Sequence, residues 1–130
     1  MTLQVFTARL GCADPDVLDV TRKSGDQLGR AFAPSWALLN PALAARARGD
    51  MEAVWSRYVG GFLGEMDYSR EVNPGAWRSL LARKRVVLVC YCGNPERCHR
   101  TLLARDILPT LGAVYGGELV ATKPQGEMFR

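Results

Sequence analysis

Residues 85–105, R-V-V-L-V-C-Y-C-G-N-P-E-R-C-H-R-T-L-L-A-R, constrain the fold more than any other stretch of the chain. Val86 to Val89 is an unbroken, β-branched apolar run. A strand with one wet face would alternate, so such a run predicts a strand covered on both sides. Gly93-Asn94-Pro95 is a turn signal, and beyond Thr101 the apolar residues Leu103, Ile107 and Leu108 return at helical spacing. A strand entering a helix through a short loop is the unit of open α/β folds, which build their sites at the carboxyl ends of the strands. Three of the four cysteines and the only histidine fall between Cys90 and His99, on that loop.

The rest of the chain supplies partners for this unit. Residues 3–10 alternate well enough for a first strand, with Leu3, Val5 and Thr7 on one face. Gly11 to Pro15 breaks it, and residues 16–22 read as a second short strand ending in charge. Residues 23–34 are polar and contain glycine, a candidate mobile loop over the site. Ser35 is a candidate N-cap for a helix that Pro41 interrupts or restarts. Over residues 50–66, Met51, Val54, Trp55, Tyr58, Val59, Phe62, Leu63 and Met66 form one apolar stripe behind an Asp50 cap, with Gly60-Gly61 marking a kink or a close approach. Asn73-Pro74 opens a short helix carrying Trp77, Leu80 and Leu81. Leu111-Gly112 is a stop, and residues 113–115 form a last strand. Strands alternating with helices predict an α/β, three-layer Rossmann-like fold with a mostly parallel sheet of four or five strands. Residues 1–121 are expected to form a single domain and 122–130 a loosely ordered tail. The ends of the early strands, Arg9 and Asp19 with Arg22, then lie on the same sheet edge as the cysteine loop.

With 130 residues the chain holds one core and not two. No run approaches the ~20 apolar residues of a membrane span, and the start lacks the pattern of a signal peptide. A cytoplasmic location is therefore expected, where cysteines serve as thiols or metal ligands rather than disulfides. The net charge of +4 permits an anionic partner, a small molecule or nucleic acid, and equally fits a surface shaped by codon bias.

Three readings of the loop compete. In the first, Cys98 or Cys92 is a reactive thiol, lowered in pKa by a helix N-terminus and by Arg97 and Arg100, with His99 as proton carrier. The loop is then similar to the cysteine-to-arginine loops of phosphatases and sulfurtransferases, but only four residues separate Cys92 from Arg97 where that loop has five. In the second, Cys90, Cys92, Cys98 and His99 offer four soft ligands to zinc. Against it, adjacent residues diverge by about 100° around a helix, which splits Cys98 from His99. In the third, the cysteines are small core residues, Cys90 foremost. Cys12 has no assigned role.

At these residues the chain resembles the domain of unknown function 488 family, small bacterial and phage α/β proteins. Their hallmark is a strand ending in Leu-Cys-x-Glu followed by Cys-His-Arg opening a helix. Leu88-Val89-Cys90 and Cys98-His99-Arg100 fit, and Asp19-Val20-Thr21-Arg22 resembles the family's Asp-Val-Arg with one residue inserted. Cys92 stands where the family has glutamate, so an acidic role at that position loses support and a thiol or metal role gains it. The resemblance implies a connection with nucleic-acid processing, by analogy alone.

Two functions follow. One is an enzyme, a thiol-dependent hydrolase or transferase, acting on a phosphate-bearing ligand. Its catalytic residues are Cys98, His99 and Cys92, and Arg100, Arg97, Arg22, Asp19, Arg9, Gly93 and Asn94 hold the anion. The other is a non-catalytic module that binds nucleic acid or protein, with zinc or packed cysteines. No oligomeric state is implied.

Overall fold

The computed structural model describes residues 2–23 and 25–120. The tail expected at 122–130 lies outside the described residues. Four strands, β1 (Gln4–Arg9), β2 (Val17–Asp19), β3 (Arg85–Cys90) and β4 (Val114–Glu118), form one all-parallel sheet in the order β2-β3-β1-β4. The helices are α1 (Gln27–Arg30), α2 (Trp36–Ala47), α3 (Met51–Val72), α4 (Pro74–Leu81) and α5 (His99–Thr101). The fold is the expected Rossmann-like α/β arrangement.

The strand order explains which face carries the helices. The steps β2→β3 and β3→β4 run in the same direction across the sheet, so right-handed crossovers put both connections on one face. Leu3, Val5, Leu18, Val86 and Leu88 pack there against Phe32, Tyr58, Phe62, Trp77, Leu103 and Leu108 in a single buried cluster. The step β1→β2 runs the other way, through residues 10–16 alone. It covers the second face with Leu10 and Cys12 packed on Ala8, Val87 and Val89. The third layer is thus a strap of chain, not a helix.

Several sequence expectations need correction. β2 stops at Asp19 instead of reaching residue 22, because the Asp19 carboxylate accepts from the Thr21 backbone N–H (2.9 Å) and hydroxyl (2.7 Å) and turns the chain. Residues 25–34 are anchored rather than a loose loop. Asp26 caps α1 through the Gly29 N–H at 2.7 Å, and Phe32 is sealed in the core edge-on to Trp77 (4.9 Å, 72°). A Cβ on Gly29 would stand 1.9 Å from the Asp19 carbonyl oxygen, so the close approach of α1 to β2 requires glycine there. Pro41 lies inside α2 and does not break it. The Ser35 cap on Leu38 N–H (3.2 Å) starts that helix as expected. α3 runs six residues past the predicted end at Met66, and of its stripe Leu63 is exposed. Gly61 is the close approach, with Leu38 Cδ1 2.7 Å from where a Cβ would sit; Gly60 is open. β4 extends to Glu118, with a register shift opposite Val5 and Phe6.

After α5 the helix widens into a π-helical turn (Leu102–Ile107) and then tightens (Leu108–Leu111). Pro109 lacks an N–H and its ring would clash with the carbonyl four residues back, which favours the widened turn before it. Gly112, at φ +103, ends the segment as the sequence predicts.

Candidate sulfur centre and ligand cleft

The register of β1, β2 and β3 brings Arg9 level with Cys90 and Asp19 level with Val89, at the carboxyl edge of the sheet. β3 ends at Cys90, and the chain turns through Tyr91 and Cys92 into a single tight turn, Pro95–Arg97, capped by Asn94 on the Glu96 N–H (3.0 Å). Cys98 follows in extended backbone (φ −140°, ψ 143°) as the residue before α5, outside the helix. The two residues still do not offer their donor atoms to one point, as expected, although the reason is not two positions on one helix: Cys98 precedes α5 and His99 begins it.

Cys90, Cys92 and Cys98 converge, their sulfurs all within 4.8 Å of one another. Cys90 therefore belongs to the cluster while lying buried at the end of β3, as expected of a core cysteine. His99 Nε2 meets the Val20 carbonyl oxygen at 2.7 Å. A carbonyl only accepts, so the proton sits on Nε2, and Nδ1 turns to Cys90 Sγ at 3.8 Å. Phe62 packs against the imidazole at 5.5 Å between ring centres. Arg46 Nη1 donates to Cys92 Sγ at 2.9 Å and Arg100 Nη1 to Cys98 Sγ at 3.3 Å.

These contacts set the charge of the cluster. Hydrogen bonds from Cys92 and Cys98, together with His99, hold the Cys90 thiol far below its ordinary value against the cost of burial. Burial and the neighbouring sulfurs push Cys98 well up, and the Cys90 thiolate pushes Cys92 up despite Arg46. Like charges this close in a buried site repel, so thiolate character favoured at Cys90 is opposed at Cys92 and Cys98. Burial, then the charge of the three sulfurs, raises the Tyr58 hydroxyl far above the phenolic range.

Above the sulfurs lies a cleft of about 180 Å³ between α2 and α3. Trp36, Leu39, Leu43, Trp55 and Tyr58 wall it, and Arg22, Lys23, Arg46 and Arg97 border it. Trp36 is 47% exposed and Tyr91 51%, an unusual display of aromatic surface beside a cleft. Trp55 is held by stacking on Tyr58 (5.4 Å, 16°) and by the Arg97 guanidinium 5.3 Å from its centre.

The residues expected to hold an anion divide by this geometry. Arg22 is at the cleft, but its Nε and Nη2 donate to the carbonyls of Pro34 (2.9 Å), Ala33 (3.1 Å) and Arg30 (3.2 Å). Arg97 is also there and is paired with Glu52 at 2.6 and 2.9 Å. Arg100 is sealed, its side chain 0% exposed, and grips Glu118 (2.8 and 3.2 Å) and the Cys92 carbonyl (2.9 Å). It is a buried clamp joining the loop to β4 and does not border the cleft. Arg9 lies beside Gly93, its guanidinium carbon 3.8 Å from where a Cβ would sit. Asp19 turns β2 as described, and Asn94 caps the tight turn. Arg46, Lys23, Trp36, Trp55, Tyr58 and Glu118 were missed by sequence reasoning. Only Trp36, an aromatic immediately after a helix cap, carried any local sign.

An all-parallel sheet with a cysteine-rich loop at the carboxyl end of its central β3 strand defines an α/β protein with a strand-edge site. Residues 6–111 match the family model described as the active DUF488-N3 subclade, and the chain belongs to the DUF488 family. No curated protein and no solved structure matches. No helix of the described residues is long and apolar enough to cross a membrane.

Proposed function

We propose that this chain binds an anionic, ring-bearing ligand of the nucleotide class in the cleft over Cys90, Cys92 and Cys98, and acts on it with the sulfur centre at the floor. The observation that carries the reading is the combination in one cleft of an aromatic wall, a sulfur floor and cationic side chains. A planar ring gains apolar and stacking contact on Trp36, and a phosphate gains charge-assisted hydrogen bonds from Arg46 and Lys23. Cys92 is the half-buried sulfur and the one a ligand reaches, whereas Cys98 is 1% exposed. His99 supports the floor through Val20 and Cys90.

The test is quenching of tryptophan fluorescence by a mononucleotide, set against the same nucleoside without phosphate. The nucleotide should bind more tightly than the nucleoside. Arg46→Ala should weaken it by about 10- to 100-fold, the loss of a hydrogen bond to a charged group. Equal binding of nucleotide and nucleoside, or no binding of either, would contradict the reading. The burial of Cys90 and Cys98 favours a second reading, a non-catalytic nucleic-acid- or protein-binding module whose cysteines hold a structural zinc.

A further inference from the structure

Three features of the sulfur cluster go together. Its donors are soft, they already converge, and two of the three accept an N–H from a neighbouring arginine. Zinc-to-thiolate bonds of about 2.3 Å place sulfurs about 3.8 Å apart in a tetrahedral site, and the three sulfurs here lie within 4.8 Å of one another. The difference left to close is therefore at most about 1 Å per pair. Arg46 and Arg100 donate N–H groups to two of the sulfurs, the second-sphere support that thiolate ligands use. Deprotonating all three sulfurs would crowd like charges together, and a divalent cation removes that cost. The set includes no carboxylate, which disfavours magnesium or calcium.

The fourth position decides whether such a centre is closed or open. The group whose donor atoms are mutually close contains the three cysteines alone among the described residues. His99 spends Nε2 on the Val20 carbonyl and turns Nδ1 to Cys90. All three cysteines also line the cleft. Structural zinc sites carry four protein ligands, whereas catalytic ones carry three and leave a position for water or substrate.

We infer that Cys90, Cys92 and Cys98 bind one divalent ion of the zinc class, with a fourth coordination position facing the cleft, where a donor atom of the ligand completes the site. This deepens the proposed function and rests on it only for the identity of the fourth ligand. The bound ion polarises the oxygen it meets.

The experiment uses the full chain, fully reduced and stripped of metal, titrated with Co²⁺ in place of Zn²⁺. Expected are a thiolate-to-cobalt charge-transfer band and intense tetrahedral visible bands that saturate at one equivalent per chain. One equivalent of Zn²⁺ abolishes both. Cys92→Ser should weaken cobalt binding by at least the about 100-fold that second-sphere losses alone can reach. Its partly buried position in the loop after β3 lets the variant fold, which circular dichroism checks. Imidazole added to the cobalt protein should shift the visible bands, as entry of a new ligand requires, and His99→Gln, which removes a neighbour of Cys90 and not a ligand, should keep their tetrahedral form and one-equivalent saturation.

Absence of the charge-transfer band in reduced protein would overturn the inference, as would an unaltered band in Cys92→Ser. Bands that ignore imidazole but lose their tetrahedral form in His99→Gln would show a closed four-ligand site and overturn the open position. The outcome is independent of nucleotide quenching: a cobalt centre without nucleotide binding refutes the ligand class alone. Nucleotide binding without a cobalt centre refutes the metal alone.

Discussion

Removing Glu118 should harm the protein more than removing its partner Arg100, even though both variants break the same ion pair. Arg100 is 0% exposed and Glu118 25% exposed. In Glu118→Leu the guanidinium keeps its charge, stays sealed, and retains only the Cys92 carbonyl and Cys98 sulfur as acceptors. Stranding a buried charge in this way costs about 3–5 kcal/mol. In Arg100→Met the charge left behind is a carboxylate that already reaches water, and a similar volume fills the core. What is lost there is the donor to the Cys92 carbonyl, at about 1–3 kcal/mol. The double variant should lie within about 1 kcal/mol of Arg100→Met alone, because Glu118 has little to stabilise once the guanidinium is gone. Urea unfolding measures all three, and an unchanged slope assigns the shift in midpoint to stability. Glu118→Leu costing less than Arg100→Met, or single costs that simply add, would refute the assignment of Arg100 as a buried clamp.

Acid should act through the same pair. Burial pushes the Glu118 carboxyl up, but hydrogen bonds from Arg100 and Thr7 and the charge of Arg100 outweigh it and hold it below 4.5. A carboxyl lowered on folding contributes stability above its unfolded value, lost as pH falls through the folded value. Wild type should therefore lose stability below about pH 4.5 more steeply than Glu118→Leu in parallel urea titrations. Gly29→Ala should destabilise by about 1–3 kcal/mol or more through the clash with the Asp19 carbonyl, read as a lower thermal midpoint; an unchanged midpoint would show that α1 can withdraw. Phe62→Ala removes the ring between Tyr58 and His99 and should cost about 3–5 kcal/mol in urea unfolding, with a cost under 1 counting against the packing described.

The central unit was legible because its signals are local. The Val86–Val89 run, the Ser35 cap, Pro74 at a helix start and Gly112 at a helix end each act within a few residues of themselves. The convergence of Cys90 with Cys92 and Cys98 was visible as a ligand set but not as geometry. Whether Cys98 stands inside or outside α5 depends on backbone angles that spacing does not show. The arginines illustrate a different limit. Arg22, Arg97 and Arg100 look alike in a sequence, yet one binds carbonyls, one an exposed glutamate and one a partly buried glutamate 18 residues away. Arg46 reaches Cys92 across 46 residues because α2 packs on α3, and no local pattern foretells it. The segment from 23 to 34 read as mobile because it opens on polar residues and glycine, and one buried aromatic, Phe32, anchors it without any periodicity.

The most direct measurement of the cleft as the ligand site is a titration of isotopically labelled protein with a mononucleotide, followed by amide and indole N–H shifts. The account predicts shifts concentrated at Trp36, Arg46, Tyr91 and Cys92, with the Trp36 indole moving first and Arg46→Ala suppressing the set. Shifts confined to the groove along Gly64, Tyr68 and Val72, or none at saturating nucleotide, would contradict it.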